Sequence, residues 1–301
     1  MLIERILNKL PIIKKLPRRV AKPIFVMIIF FDELFWKLRI FIFVLVFGKK
    51  NKIGKALSDL KKTGVAVIPK FYSDNEVLKI KKECIKQLDE LPFEKLGTNE
   101  YIENLLVKFN GNDLRLERLG KSIKLKGLHY INSFFRKIGR DFKTSLINLI
   151  YHLDFNKPFL IYNITHDGSF VHPAFSKSFK SEIDMIAGKP HVDCSIHQLR
   201  FLLALDDVKE ENGPTVCYKK SMHLNEIKKN HLNLLLEKFN FEADGGGSHF
   251  VNEEKLKFLE KKANKIHATV NRGDLMLLDL KTVHYASPLK SGERHILWYY
   301  Y

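Results

Sequence analysis

KPHVDCSIHQLRFLLALDDVKEENGPT, residues Lys189 to Thr215, is the stretch on which the reading of the fold turns. His191 and Asp193 open it two positions apart, an apolar run follows, and Asn212-Gly213-Pro214 closes it. A short apolar run bounded by turn residues reads as a buried strand. On extended backbone, residues i and i+2 point to one side, so His191 and Asp193 offer an imidazole nitrogen and a carboxylate oxygen to the same point. Two ligands do not hold a catalytic metal, and in a jelly-roll the third is expected from a later strand packed beside the first.

NRGDLMLLDLKTVHYASPLKSGERHILWYYY, from Asn271 onward, supplies that third group in His284, just past an apolar strand, and then Arg294 at the start of the last strand. Two histidines and one carboxylate form the facial triad that suits non-haem Fe(II), with positions left for a co-substrate and oxygen. A guanidinium buried near such an iron needs an anion. The far carboxylate of 2-oxoglutarate is a bidentate match for Arg294. An isolated His-x-Asp reads as a surface loop more often than as a ligand pair, and the order His191, Asp193, His284, Arg294 is what reverses that reading.

Other short runs, FLIYNIT, GPTVCYK, HATV and HILWYYY, are separated by turn signals and predict further strands. Earlier, TGVAVIPKFYSDNEV predicts a strand at Val65 to Ile68 and a helix starting at Ser73 or Asp74, with Val77, Ile80, Cys84 and Leu88 facing the core. Tyr101 to Tyr151 alternates basic and apolar positions and carries one further helix, FFRKIGRDFKTSLINLIYHL. A charged helical insertion, Leu224 to Phe241 and Asn252 to Lys262, interrupts the strands around the loop DGGGSHF. It reads equally as a lid or as a solvated face. The class is α+β, mainly β: a sandwich or barrel with helices on one face.

The chain has 301 residues, 45% of them hydrophobic, enough for one large domain with an N-terminal appendage, residues 1–53 and 54–301. Three cysteines without a CxxC exclude a disulfide framework or thiolate zinc site and fit a reducing, cytoplasmic compartment. The formal charge of +17 is unevenly distributed, with Arg5, Lys9, Lys14, Lys15, Arg18, Arg19, Lys22, Lys49 and Lys50 crowding the first sixth of the chain around PIFVMIIFFDELFWKLRIFIFVLVFG. An anionic membrane suits that mixture better than nucleic acid. Asp32, Glu33, Lys37 and Arg39 interrupt the apolar run in one helical sector. Three readings stay open: a helix lying in the interface with Trp36 near the headgroups, a span, or a helix packed on the catalytic domain.

HVD at His191, LALDDVKEENGPT at Leu203 to Thr215, SMH ending at His223, and the terminal series Gly273, Asp274, His284, Ser287, Arg294 together resemble the phytanoyl-CoA dioxygenase family of Fe(II)/2-oxoglutarate-dependent oxygenases. The stretch TGVAVIPKFYSDNEV is similar to that family's usual opening, so the resemblance spans about residues 55 to 301. It implies a double-stranded β-helix (jelly-roll, cupin-like), iron held by His191, Asp193 and His284, and 2-oxoglutarate held by Arg294 with the Ser287 hydroxyl. Lys220-Ser221-Met222-His223 stands where the family commonly has Pro-Gly-Ser-His, and Pro190 where an aromatic is common.

The expected reaction is hydroxylation of an unactivated C–H bond of a small or lipid-like substrate, with 2-oxoglutarate and O2 consumed and succinate and CO2 released. Desaturation or epimerisation at the same iron, and a catalytically silent binding protein on the same fold, are the alternatives; Asp193 argues against halogenation. Asn163, on FLIYNIT, either bonds the inner carboxylate of 2-oxoglutarate or serves the backbone. His197 either faces the site or is structural, and His166 and His172 read as loop residues near the mouth.

Overall fold

The computed structural model of the chain describes residues 16–48, 51–91, 101–109, 112–119, 122–131, 133–152, 159–167, 188–239 and 250–300. Their strands are β1 (Val65–Ile68), β2 (Tyr101–Phe109), β3 (Asn112–Leu119), β4 (Ser122–Lys126), β5 (Phe159–His166), β6 (Leu199–Ala204), β7 (Thr215–Lys219), β8 (Asn264–Ala268), β9 (Leu275–Asp279), β10 (His284–Ala286) and β11 (Glu293–Tyr300). An eight-stranded sheet runs β1-β9-β6-β11-β5-β4-β3-β2 and a three-stranded one β10-β7-β8, antiparallel throughout.

Period-two alternation divides the side chains of the large sheet between two cores. Ile296 of β11, Leu202 of β6 and Met276 of β9 meet Cys217 of β7 and Ala268 of β8 between the sheets. Leu297 and Tyr299, one step along β11, join Phe201 and Leu277 in a second core beneath the helices. Two facing sheets with helices on one outer face are the double-stranded β-helix expected.

The helix after β1, α3 (Asp74–Asp89 in a set that begins with α1, Arg18–Phe47, and α2, Lys52–Thr63), starts at Ser73 in a capping box with Glu76 and buries Val77, Ile80, Cys84 and Leu88 as the spacing required. The stretch from Tyr101 to Lys126 forms β2, β3 and β4, which the sequence reading left unassigned. Its alternation was itself the strand signal, since Leu114, Leu116, Ile123 and Leu125 are buried. After α4 (Leu128–Ile131), the single helix expected next is two, α5 (Ser133–Gly139) and α6 (Phe142–His152). Asp141 accepts hydrogen bonds from Lys143 N (2.8 Å) and Thr144 N (3.2 Å), which starts the chain on a new helix. The insertion supplies α7 (Asn225–Lys238) and α8 (Glu253–Lys262), while its glycine loop lies outside the described residues. α7 packs Leu235 and Leu236 on Ala21 and Phe25 of α1, so that side of it is not a solvated face.

Trp36 is wholly buried rather than near headgroups. It stacks on His197 with ring centroids 3.7 Å apart. Asp32 accepts from His197 N at 2.9 Å, and Arg39 donates to the carbonyls of Ile150 (3.0 Å) and Tyr151 (2.7 Å) at the end of α6. Asp32 and Arg39 of the polar sector of α1 thus face the protein instead of lipid headgroups. Among the described residues no helix is long and apolar enough to cross a membrane.

His197 belongs to this buried support and not to a substrate surface. Its Nδ1 lies 2.5 Å from Asp279 Oδ2, which also accepts from the Tyr151 hydroxyl, while Lys281 Nζ stands 3.5 Å from Nε2. Burial holds the pKa of His197 and His231 well below the ordinary value and takes that of His295 from 6.5 to about 4. These imidazoles are neutral in the folded protein and gain protons on unfolding, so their contribution is complete above pH 6.5 and declines as pH falls toward 4. His295 alone corresponds to about 3 kcal/mol over that interval. The unfolding midpoint should drop steadily between pH 6.5 and 5, above the range where most carboxylates titrate; a flat profile there contradicts this account.

Candidate metal centre

His191 does not lie on a regular strand, as the spacing had suggested, but forms isolated β-bridges with His284 and with Phe250. His191 N donates to His284 O and His284 N to His191 O, each at 3.0 Å. Asp193 N and Cys194 N both donate to Leu280 O, at 3.0 and 3.2 Å, which fixes the loop after His191 to the turn between β9 and β10. Backbone bonding between two distant segments, not strand alternation, therefore makes the three side chains converge. Their nearest donor atoms all lie within 4.8 Å of one another.

The imidazole protons can be assigned from their partners. Nδ1 of His191 lies 2.7 Å from Lys189 O, and Nδ1 of His284 lies 2.8 Å from Thr282 O. A backbone carbonyl only accepts, so each Nδ1 carries the hydrogen and each Nε2 a lone pair. The Nε2 atoms stand 3.4 and 3.5 Å from the Asp193 oxygens. His284 Nε2 is buried with no hydrogen-bond partner among the described residues. Two lone pairs and a carboxylate aimed at one another repel unless a cation lies between them. Two nitrogens and one oxygen fit Fe(II).

Arg200, which the sequence reading passed over, stands beside this group. Its Nη2 is 2.8 Å from Asp193 Oδ2 and its guanidinium lies 4.2 Å from the Tyr300 ring centroid. Burial works to raise the Asp193 pKa, and the Arg200 guanidinium beside it works to lower it and favours the ionised carboxylate. A lone arginine inside the apolar run HQLRFLLAL was the available signal, because a charge on a buried strand requires a partner.

Arg294 pairs across the sheet with Thr165, and its Nη2 lies 3.5 Å from the threonine hydroxyl. It is buried, and among the described residues no carboxylate pairs with it. Burial alone pushes its pKa from 12.5 down to about 10. Register puts Arg294, Ile296, Trp298 and Tyr300 on the same face of β11 as Arg200 of β6, so both arginines belong to the face that meets the small sheet.

Ser287 presents a buried hydroxyl without a hydrogen-bond partner among the described residues. Its N donates to Pro214 O at 3.1 Å. The turn that closes the opening stretch holds this position: Gly213 has φ +68°, and a Cβ there would come within 2.9 Å of Ser287 O. Asn163 shares the Arg294 face of the large sheet, but its Nδ2 donates to Ser122 Oγ (2.8 Å) and Ile123 O (3.0 Å), tying β5 to β4. His166 is buried at the end of β5, and His172 lies outside the described residues. A second cluster, Asp206, Glu293 and His295, already has a cation in Lys81, 2.8 Å from Asp206 and 3.5 Å from Glu293.

Residues 169–296 match the phytanoyl-CoA dioxygenase (PhyH) family, which bears out the resemblance over the stretch that holds His191, Asp193, His284 and Arg294. That family uses Fe(II), 2-oxoglutarate and O2. No curated protein matches the chain. Among solved structures, the chain is similar to SnoN, a non-haem α-ketoglutarate-dependent epimerase of nogalamycin biosynthesis, with TM-score 0.52, 13% identity, and 82% of this chain and 81% of that one covered. The same epimerase in complex with Fe3+, α-ketoglutarate and nogalamycin RO gives TM-score 0.51 at 13% identity, with 82% of each chain covered. EvdMO1 gives TM-score 0.50 at 11% identity, covering 82% of this chain and 49% of that one. These likenesses establish the fold as that of the Fe/2-oxoglutarate oxygenases.

Proposed function

We propose that this chain, carrying the fold of the Fe/2-oxoglutarate oxygenases, is an active oxygenase in which His191, Asp193 and His284 hold Fe(II). Arg294, with the Ser287 hydroxyl, holds the far carboxylate of 2-oxoglutarate. One observation carries the reading: two imidazole lone pairs and an ionised carboxylate converge, while a buried guanidinium without a carboxylate partner among the described residues sits on the sheet face that meets the small sheet. The metal and co-substrate, when bound, supply the power to oxidise a C–H bond with O2, leaving succinate and CO2. The chain's own part is to fix the ligand tautomers through Lys189 O and Thr282 O, to hold Asp193 through Arg200, and to keep one substrate bond close.

Hydroxylation of a small or amphiphilic substrate is the outcome we favour, because it needs no hydrogen donor or acceptor beyond the substrate bond. Asp193 keeps the position that a halide would need. Adding Fe(II) and 2-oxoglutarate without air should give the weak visible charge-transfer band of the chelate, and admitting air should give succinate. Absence of both, with His191→Ala indistinguishable from the unaltered chain, refutes the proposal.

A further inference from the structure

The helix α1 is inside out for a surface helix. Its charged residues between Val20 and Val46 are Lys22, Asp32, Glu33, Lys37 and Arg39, and all five lie on the buried or half-buried side. Every exposed position in that interval is apolar. Phe30 is 62% exposed, Phe41 59% and Leu45 71%. At 1.5 Å per residue the stripe runs for about 40 Å. Amphipathic surface helices show solvent the opposite face.

Basic side chains border this stripe. Arg19 is exposed at its start, and near its end a cleft of about 590 Å³ is floored by Ile40, Phe41, Val44 and Leu45 and edged by Lys37, Lys61 and Lys62. Phe41 and Leu45 belong to both the cleft floor and the exposed stripe, so the two form one surface. Burial and the neighbouring Lys37 hold the Lys61 pKa down, an unfavourable charge that an anion would relieve. A second copy of the chain could cover an apolar face too, but each copy carries +17 and would bring these lysines against its own kind.

We propose that the outward face of α1 seats the protein on an anionic lipid bilayer, the phenylalanine and leucine side chains entering the headgroup boundary and Lys37, Lys61 and Lys62 meeting lipid phosphate. The surface is formed without any residue of the metal centre, so it stands or falls separately from the oxygenase reading. α1 lies along the bilayer, and its buried side, through Asp32 and Trp36, grips the segment that carries His197.

The test is flotation of the full chain with phosphatidylcholine vesicles, with and without phosphatidylglycerol. The chain should float with the anionic vesicles, weakly with neutral ones, and less as salt is raised to about 0.5 M. Phe30→Ser, Phe41→Ser and Leu45→Ser together should weaken binding on the order of tenfold or more, since each removes apolar area that the lipid would cover. Their exposure leaves the unfolding midpoint unchanged, which separates lost binding from lost folding. Lys61→Glu with Lys62→Glu should remove the preference for anionic vesicles. No flotation of the unaltered chain, or equal flotation of the triple variant, overturns the proposal. So does a concentration-dependent dimer in sedimentation that the triple variant abolishes and vesicles do not compete with, because the face then belongs to a second copy.

Discussion

Replacing His284 by alanine should lower Fe(II) affinity and succinate formation by on the order of 100-fold or more. Loss of a group that merely orients a metal ligand costs about 10- to 100-fold, and loss of a ligand itself sits at or beyond the upper end. The fold should survive, because the bonds between residues 191 and 284 run backbone to backbone. Without metal the variant should be at least as stable as the unaltered chain, since one of two imidazole lone pairs facing Asp193 is gone. Anaerobic calorimetric titration with Fe(II) or Mn(II), beside thermal unfolding, reads both effects. Metal affinity within about threefold of the unaltered chain would remove His284 from the ligand set.

Arg294→Met should act in two opposite directions. Among the described residues the buried guanidinium has only a distant hydroxyl beside it, and the fall of its pKa from 12.5 to about 10 corresponds to about 3 kcal/mol of unfavourable burial. Methionine fills similar space without that charge, so the ligand-free unfolding midpoint should rise by about 3 °C or more. Binding should suffer: removing one partner of a buried charge pair costs about 2–5 kcal/mol, a loss of about 30-fold to several thousandfold in 2-oxoglutarate affinity. A variant that is destabilised without ligand, or that keeps 2-oxoglutarate affinity within about threefold, would assign Arg294 a structural partner instead.

The chemistry was more legible in the sequence than the geometry behind it. His191, Asp193, His284 and Arg294 could be named because their residue types and order suit one coordination problem. Their support could not, since carbonyls such as Lys189 O and Leu280 O leave no mark in residue identity. Arg200 was readable as an arginine in an apolar strand, yet its partner depended on how the loop from Asp193 folds back. β2, β3 and β4 were hidden for another reason. Their long basic side chains look like a solvated helix unless period two is counted, as at Leu114 and Leu116 or Ile123 and Leu125. For α1 the periodicity was plain, and what it could not say was which face would find a partner within the chain.

The place of β11 sets a condition on how the protein is made. This strand lies between β5 and β6, and among the described residues the two halves of the large sheet are hydrogen-bonded to each other only through it. During synthesis, β5 and β6 emerge first and wait, each with an open apolar edge, while everything up to Glu293 is added. At about 5–20 residues per second that wait is on the order of ten seconds. Such edges recruit one another between nascent chains. Slowing translation lengthens the wait, so the yield of soluble protein is decided on the ribosome as much as in the finished fold.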